Sequence, residues 1–450
     1  MLGKTLEYAS LKTVLLHLDA NLRFEISRRM PSIRKIEKIV PLKIWNLAID
    51  ELYTSVNDTI YLLVQREHRD GGAQKDFDEF GFPVPSGHSV LLPGDVSYQT
   101  EMFDFPIRYD TERMENDYRR SLRVCKLAKE RYAELTANGL TVDEYLDQLE
   151  PIADDRANHE EHEIRMYLRY QEMLDWKIED LETQLIPFDC RRNQSKLPFT
   201  CYIQLTIQKE NSKKIQLFEY NKKLYKAAKQ LNQVLFGSRT FPIYVANFHF
   251  RTWNDIFRIV IYRLPIGFSL YASEVKSCNN TIAHKNFKAI VKNSENLNTL
   301  HIYCGFVDAS DYLVPIVLNS KKLVIDARTT EGIQRFIQIA KDTLSLDFRI
   351  ENEMEFTPEQ YLGLFQNWLS GNRSIGARCS IGLEKDETGK EVLRLIKIQS
   401  ERTKRTKRCI IVFINASSKV EVFYVPFKTD ENRWYGSHCK WILKMRIIKA

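Results

Sequence analysis

The sequence predicts an α/β protein: an N-terminal helix-strand module, a charged helical hairpin and a C-terminal strand-helix stack that ends in an antiparallel meander. Two observations predict this fold class. The spacing of apolar residues changes along the chain between the helical and the strand period, and a short apolar strand pattern recurs in the C-terminal half. A chain of 450 residues is expected to form more than one domain. We place the domains at residues 1–105, 106–190 and 191–450.

The first predicted domain opens with helices. Ser10 is a suitable N-cap, and the apolar residues after it follow helical spacing on one face, namely Leu11, Val14, Leu15, Leu18 and Leu22. A break at Met30-Pro31 separates a second helix, which ends before Pro41. The strands Leu42–Ile49 and Val56–Val64 complete this module.

The second predicted domain is a charged helical hairpin. A helix from Thr111 to Leu135 carries one apolar stripe and stops at Gly139. Thr141 and Glu144 form a capping box for a short helix. After Pro151, apolar residues return at near-heptad spacing. The two long helices are therefore expected to pair in an antiparallel arrangement.

The third predicted domain alternates strands and helices from Pro198 onward. Cys201–Ile207 has the pattern of a strand, and Ile215–Phe236 that of an amphipathic helix before Gly237. Three further strand candidates follow, Ile243–Phe250, Phe257–Tyr262 and Phe268–Ala272.

A strand pattern then repeats at an interval of 23 residues, at Leu300–Ile302, Leu323–Ile325 and Leu346–Phe348. A helix-like segment follows each strand, namely Tyr312–Leu318, Gly332–Ala340 and Pro358–Leu369. A strand-plus-helix unit of this length is typical of leucine-rich repeats, whose strands stack in parallel. The sequence thus predicts a leucine-rich-repeat-like α/β domain, and an ordinary α/β domain with evenly spaced units is the alternative.

An antiparallel meander is predicted after the stack. Its strands are Val392–Ile398, Cys409–Ile414 and Val420–Val425. A meander differs in geometry from the parallel stack, so we expect it to cap the open end of the stack.

The sequence contains no catalytic motif, so the protein is not expected to be an enzyme or to bind a cofactor or metal. Gly371–Gly376 has the glycine spacing of a P-loop, but Ala377 and Arg378 replace the Lys and Ser/Thr that would contact phosphate and magnesium. The histidines His159 and His162 are better explained as part of a solvated acidic helix surface than as metal ligands.

Cysteine usage and hydropathy predict an intracellular protein, cytoplasmic or nuclear. The eight cysteines are scattered through apolar segments without a close pair, as expected of thiols in a reducing compartment. The sequence shows no apolar run of the roughly 18 residues that a membrane span requires. A membrane location is therefore not expected.

The positive charge is concentrated near the C-terminus. The whole chain has 66 basic and 59 acidic residues, and the densest basic run consists of Arg402, Lys404, Arg405, Lys407 and Arg408. Five cations this close create a strong local field that can bind nucleic acid or another anion. The run lies between two predicted strands and contains no aromatic residue for base stacking. A solvated hairpin loop is therefore the preferred interpretation, and nucleic-acid binding is an alternative.

Several segments resemble a nematode-expanded family of unknown function. They are Tyr8–Phe24, Met30–Glu37, Val40–Leu42, Val56–Tyr61, Asp78–Gly81, Leu92–Asp95, Phe218–Tyr225 and Leu235–Arg239. The resemblance extends from about Tyr8 to Asn247. It implies membership in such a family and no particular activity.

A second resemblance is to F-box proteins, in which a short helical module docks on the Skp1 adaptor of a cullin ubiquitin ligase. The leucine-rich stretch Leu11–Asp19 is similar to the helices of that module, and Phe365–Gly371 is similar to a helix of F-box-associated domains. The resemblance implies a substrate receptor whose adaptor-docking residues would be Leu11, Val14, Leu15 and Leu18.

Protein–protein interaction is the function that the sequence favours, through the open strand face or the end of the stack. On that face, the residues that alternate with inward-facing apolar positions are His301, Val324 and Asp347. They are the candidate partner-binding residues, and the sequence does not identify the partner.

Overall fold

The structure is a computed structural model, and it describes residues 8–66, 72–73, 76–84, 90–98, 111–148, 159–250, 260–277, 287–288, 290–304, 315–327, 337, 339–352, 356–371, 373–427 and 439–450. The predicted helices Tyr312–Leu318 and Gly332–Ala340 and the predicted strand Phe257–Tyr262 lie partly outside these residues.

The helices are α1 (Tyr8–His17), α2 (Ala20–Arg29), α3 (Arg34–Lys38), α4 (Glu112–Ala137), α5 (Val142–Asp147), α6 (His159–Arg169), α7 (Leu174–Asn193), α8 (Leu224–Phe236), α9 (Pro315–Asn319), α10 (Pro358–Ser370) and α11 (Asp386–Gln399). The strands are β1 (Lys43–Ile49), β2 (Tyr53–Val56), β3 (Thr59–Arg66), β4 (Gly72–Ala73), β5 (Asp76–Phe77), β6 (Pro83–Val84), β7 (Val96–Tyr98), β8 (Tyr202–Lys209), β9 (Ser212–Glu219), β10 (Ile243–Phe250), β11 (Val260–Tyr262), β12 (Leu270–Ser277), β13 (Thr299–Cys304), β14 (Lys322–Ala327), β15 (Asp347–Asn352), β16 (Arg378–Leu383), β17 (Thr403–Arg405), β18 (Cys409–Phe413), β19 (Ser418–Pro426) and β20 (Trp441–Lys449).

One large mixed sheet organises the chain. Its strands lie in the order β17-β18-β19-β20-β16-β15-β14-β13-β12-β10-β1-β2-β3-β8-β9. The strands from β16 to β1 in this order run parallel to one another. Antiparallel strands flank them, with β20 beside β16 and β2 beside β1. The predicted α/β class is confirmed.

The core lies on one face of this sheet. Leu300, Leu323 and Phe348 occupy one row across β13, β14 and β15, and each is completely buried. Side chains of α8, α9, α10 and α11 join the same apolar cluster. Helices between successive parallel strands therefore pack on a common sheet face.

The predicted repeat interval is correct for the first two strands and wrong for the third. The register pairs Leu300 with Leu323 but Leu323 with Phe348, so the second interval is 25 residues. Leu346 precedes β15 and is 50% exposed. The chain places Phe348 in the buried row because that position of the strand faces the core.

Other sequence predictions are also wrong. The first predicted helix, with Leu11 and Leu22 on one face, is divided into α1 and α2 by the N-cap at Asp19. The segment predicted as the helix Ile215–Phe236 divides into β9 and α8, and the predicted strand Val392–Ile398 is part of α11. In α11, Val392, Leu393 and Ile396 are buried, which is the pattern of a helix face. The meander therefore consists of β18, β19 and β20 with β17 at its edge.

The predicted charged hairpin is present, but its second helix, predicted as one long helix, is divided into α6 and α7 at Gln171–Met173. Helix α4 packs against α6 and α7 around a separate apolar cluster that includes Val124, Leu168 and Leu181. The predicted capping box at Thr141 and Glu144 is also present. The hairpin lies between β3 and β8 in sequence, yet these strands are antiparallel neighbours. Strands of the first and third predicted domains thus belong to one sheet.

A buried ionic cluster connects α2, α3 and the end of α8. The Glu37 carboxylate accepts hydrogen bonds from Arg23 Nε at 3.1 Å and from Arg239 Nη2 at 2.8 Å. Arg23 also donates to the carbonyl oxygens of Val40 and Pro41, just before β1. The side chains of Arg23, Glu37 and Arg239 are at most 4% exposed. Burial lowers the pKa of both guanidinium groups, and the Glu37 carboxylate opposes that effect.

We expect Glu37→Gln to lower the free energy of unfolding by about 3 kcal/mol, because two buried guanidinium groups lose their counter-ion. Urea unfolding followed by circular dichroism measures the change. Glu25→Gln is the matched control, since Glu25 forms exposed ion pairs with Arg28 and Arg29, which contribute less than about 1 kcal/mol. Equal effects of the two substitutions would contradict a stabilising role of the buried cluster.

Candidate functional site

A large groove lies at the β9 end of the sheet, on the face that carries the hydrophobic core. Strands β3, β8 and β9 form its floor, and α2 and α8 form its walls. Its volume is about 1140 Å³, which exceeds the roughly 300–1,000 Å³ typical of small-molecule pockets. We refer to this feature as the α2–α8 groove.

The floor of the α2–α8 groove is mainly apolar. The strand register places Ile203 beside Phe218 and Leu205 beside Gln216 on the groove face. On the other side, Leu205 pairs with Leu63 of β3. Leu205 is only partly buried although it packs against the main core. The groove is therefore a part of the hydrophobic core that the described helices do not cover.

Helix α8 forms one wall, and contacts with several distant segments fix its position. The Asp76 carboxylate accepts a hydrogen bond from the Leu224 backbone N–H at 2.6 Å, which caps the start of the helix. Asn232, in the middle, accepts from Thr54 Oγ1 at 2.9 Å and donates to the Arg263 carbonyl at 2.9 Å. Leu224 and Asn232 are buried, whereas Val234 on the groove side is 65% exposed.

Lys38 fixes the end of the same helix. Its ammonium group donates to the carbonyl oxygens of Val234 at 2.8 Å and Leu235 at 3.1 Å. These carbonyls lie in the last turn of α8, where intrahelical donors are lacking and a cation is favourable. Burial, followed by the nearby charge of Arg239, lowers the pKa of Lys38 to about 8.

Helix α2 forms the opposite wall. Phe24 packs edge-on against Phe236 of α8 with ring centroids 6.0 Å apart. Asn21 donates to the Val56 carbonyl at 2.8 Å and accepts from the Tyr61 hydroxyl at 3.0 Å, so α2 is bonded to the floor. Leu22 remains 46% exposed toward the groove. Each wall thus presents one large, exposed aliphatic side chain.

The rim of the groove carries balanced charge. Its cations are Arg28, Lys209, Lys214 and Lys222, and its anions are Asp19, Glu25, Asp58 and Glu219. A balanced rim gives no net attraction for a polyanion. An apolar floor with a mixed polar rim resembles the composition of protein–protein interfaces.

The residues proposed for adaptor docking do not share an accessible face. Leu15 is 1% exposed, while Leu11 and Leu18 are partly buried. Of these four residues, Val14 is the most accessible, with 42% of its surface exposed to solvent. The prediction that these four residues form one accessible docking face is therefore wrong for Leu15. Its side chain is buried because α1 packs one of its faces against the rest of the protein.

The proposed partner-binding row on the parallel strands is also inaccessible in part. His301 and Val324 pair in register, and each is 4% exposed. His301 Nε2 lies 3.3 Å from a carboxylate oxygen of Glu351. Asp347 is partly buried and pairs with Lys322. It therefore lies two strand positions before the row that contains His301 and Val324. The prediction that these residues form an exposed face is wrong for His301 and Val324, although they alternate with core positions as expected.

The basic run belongs to the β17–β18 hairpin, but only part of it is the predicted loop: Lys404 and Arg405 lie in β17, and Lys407 and Arg408 lie in the turn. Arg402, Lys404, Arg405, Lys407 and Arg408 are all exposed. Arg408 is engaged within the protein: its guanidinium lies 4.6 Å from the ring centroid of Trp441, and its Nε is 3.6 Å from Asp386. Nucleic-acid binding by the run stays a prediction.

Metal-ligand clusters and membrane-spanning helices are both absent from the described part of the chain. No group of three or more His, Cys, Asp or Glu residues there has the arrangement of a metal site. No helix of the described residues is both long and apolar enough to cross a membrane.

Comparison with known proteins gives one family match. Residues 223–385 match the model of a domain of unknown function, DUF3557. The match begins at the α8 wall of the groove and extends through the parallel strands to β16. No curated protein and no solved structure matches the chain. The similarity supports a domain-level relationship and carries no activity.

Lys38 provides a test of the α8 anchor. Because its pKa is lowered to about 8 in the folded protein and is about 10.4 in an unfolded chain, the unfolded state binds more protons between these values. Stability therefore rises with pH across this window. We expect the free energy of unfolding of the wild type, relative to Lys38→Met, to increase by about 1–2 kcal/mol from pH 8 to pH 10.

Urea unfolding at several pH values within this window measures the difference. Lys35→Met is the matched control, since Lys35 lies on the same helix and is exposed. A constant difference between wild type and Lys38→Met across the window would show that Lys38 keeps its ordinary pKa.

Proposed function

We propose that this chain is a non-catalytic protein that recognises another protein through the α2–α8 groove. The observation that carries the proposal is the uncovered core face. Leu205 and Ile207 on the floor are only partly buried, and Leu22 and Val234 on the walls are exposed. Contiguous apolar surface with a polar rim is the usual mark of a protein-binding site.

An amphipathic helix of the partner is the occupant that this geometry favours. Helices α2 and α8 already lie on the same sheet face, and the groove is the gap between them. In a layered α/β architecture, a helix is the element that covers a sheet face beside other helices. An apolar helix face would contact Leu22 and Val234, while its polar face would meet the charged rim.

The parallel strands support a recognition role as a rigid scaffold. Equivalent buried positions recur around β13, β14 and β15. Three residues before the buried row of Leu300, Leu323 and Phe348 lies a second row of buried residues, Leu297, Ser320 and Ser345. Ile302, Ile325 and Ile350 form the next buried row. This spacing follows the first positions of the leucine-rich-repeat consensus. We therefore infer a leucine-rich-repeat-like stack, consistent with a binding protein.

A substrate receptor of a Skp1-cullin ubiquitin ligase is the second candidate. The observation that favours it is exposed apolar surface on the N-terminal helices, where Tyr8 is 54% and Val14 is 42% exposed. These residues belong to the segment that resembles the F-box module and a nematode-expanded family. In this version of the proposal, α1 binds the adaptor and the α2–α8 groove binds the substrate.

Val234→Asp tests the groove. We expect it to weaken binding of the partner by at least about tenfold, because a charge would be buried against the partner's apolar face. Ile398→Asp is the matched control, since Ile398 on α11 is 67% exposed and Val234 is 65% exposed. Partners are identified by mass spectrometry after purification of the tagged full chain, and each is then purified for calorimetry with wild type and both variants. Identical binding by Val234→Asp and Ile398→Asp would reject the groove.

Val14→Asp tests the adaptor hypothesis. Leu15 is unsuitable because it is buried, and a charge there would destabilise the fold. If α1 docks Skp1, then Skp1 and a cullin co-purify with the wild-type chain and are lost with Val14→Asp. Thr13→Asp is the control, since Thr13 is exposed on the same helix. Absence of both proteins from the wild-type sample would exclude the receptor hypothesis.

A further inference from the structure

Strand β9 has the properties of a strand that pairs with another chain. It ends the sheet in the part of the chain that the structure describes, and it is eight residues long without a proline. Seven of its residues are exposed. Ile215 is 44%, Leu217 51% and Phe218 50% exposed. A long and regular edge with three exposed apolar side chains is unusual, because edge strands are normally short or covered.

The opposite end of the same sheet shows such protection. There β17 has only three residues, Thr403–Arg405, and two of them are cationic. Arg402 adds a further cation directly before this strand. Both edge strands carry cations, but β17 offers only three residues for strand addition, whereas β9 offers eight.

The hairpin geometry determines which backbone groups of β9 point outward. Lys209 and Ser212 pair across a two-residue turn at Glu210 and Asn211, and such a closing pair is hydrogen-bonded within the hairpin. Hydrogen-bonded and non-hydrogen-bonded pairs alternate along an antiparallel ladder. The residues whose N–H and C=O groups point away from β8 are therefore Lys213, Ile215, Leu217 and Glu219.

These four residues form a self-complementary pattern. In an antiparallel pair of two β9 strands related by a two-fold axis at Gln216, Lys213 lies opposite Glu219 and Ile215 opposite Leu217. The outward-pointing residues thus pair with one another, as the ladder requires. An axis at Ile215 would instead place Lys213 opposite Leu217. An axis at Leu217 would place Ile215 opposite Glu219. One register alone therefore combines two ion pairs with two apolar pairs.

We propose that β9 pairs with β9 of a second copy of this chain, forming a symmetric dimer with a continuous sheet centred on Gln216. This inference goes beyond the proposed function, because the dimer uses the strand edge and the partner uses the α2–α8 groove. A C2 interface of this kind is isologous, so each complementary contact occurs twice.

Sedimentation equilibrium of the full chain tests the proposal. The wild type is expected to dimerise, and either Lys213→Glu or Glu219→Lys is expected to raise the dimer Kd by about tenfold or more, because like charges then face each other twice. The double variant Lys213→Glu/Glu219→Lys restores opposite charges and is expected to return Kd to near the wild-type value. An equimolar mixture of the two single variants is expected to form a heterodimer.

Two further measurements complete the test. Lys397→Glu is the control, since Lys397 is exposed on α11 and lies outside both the α2–α8 groove and β9, so its Kd should equal that of the wild type. Hydrogen exchange should slow in the segment 212–219 on dimerisation. Circular dichroism confirms that each exposed variant is folded.

Three outcomes would overturn the proposal. They are a wild-type chain that stays monomeric at about 100 µM, a dimer whose Kd is insensitive to both single variants, and single variants whose defect the double variant does not repair. A monomer whose β9 edge instead binds an extended segment of another protein belongs to the first outcome. None of these results bears on the Val234→Asp measurement, which tests the groove separately.

Discussion

The buried carboxylate of Glu37 is the interaction on which the N-terminal part of the structure depends. It accepts hydrogen bonds from Arg23 on α2 and from Arg239, which follows α8. These arginines are 216 positions apart in sequence, and both are nearly inaccessible to solvent. Removing either guanidinium would leave a buried charge with less compensation, so the three side chains specify one arrangement of their helices.

This arrangement also sets the shape of the sheet's uncovered end. Arg23 holds α2 against the start of β1, and Lys38 holds the last turn of α8. Leu205 and Ile207 pack against the main core between these anchored walls. A groove whose walls are held by specific polar contacts would lose little conformational entropy on binding the proposed partner.

Local sequence signals predicted the elements whose determinants are local. The predicted helix Pro358–Leu369 corresponds to α10, which a capping box of Thr357 and Gln360 begins, and the box predicted at Thr141 correctly placed α5. The interval between Leu300 and Leu323 correctly predicted parallel neighbours. The interval was wrong at Leu346, because register depends on which residue reaches the core and the connecting segment can absorb two extra residues.

The groove could not be predicted, since its floor depends on contacts between distant segments. Ile215 and Phe218 fit a helical pattern that continues into α8, so the strand was hidden in the sequence. What separates β9 from α8 is pairing with β8 and a cap supplied by Asp76, which is 148 residues before Leu224. A strand that is almost wholly exposed also lacks the alternation that burial imposes. The features that make β9 accessible to a partner are therefore the same ones that remove its sequence signature.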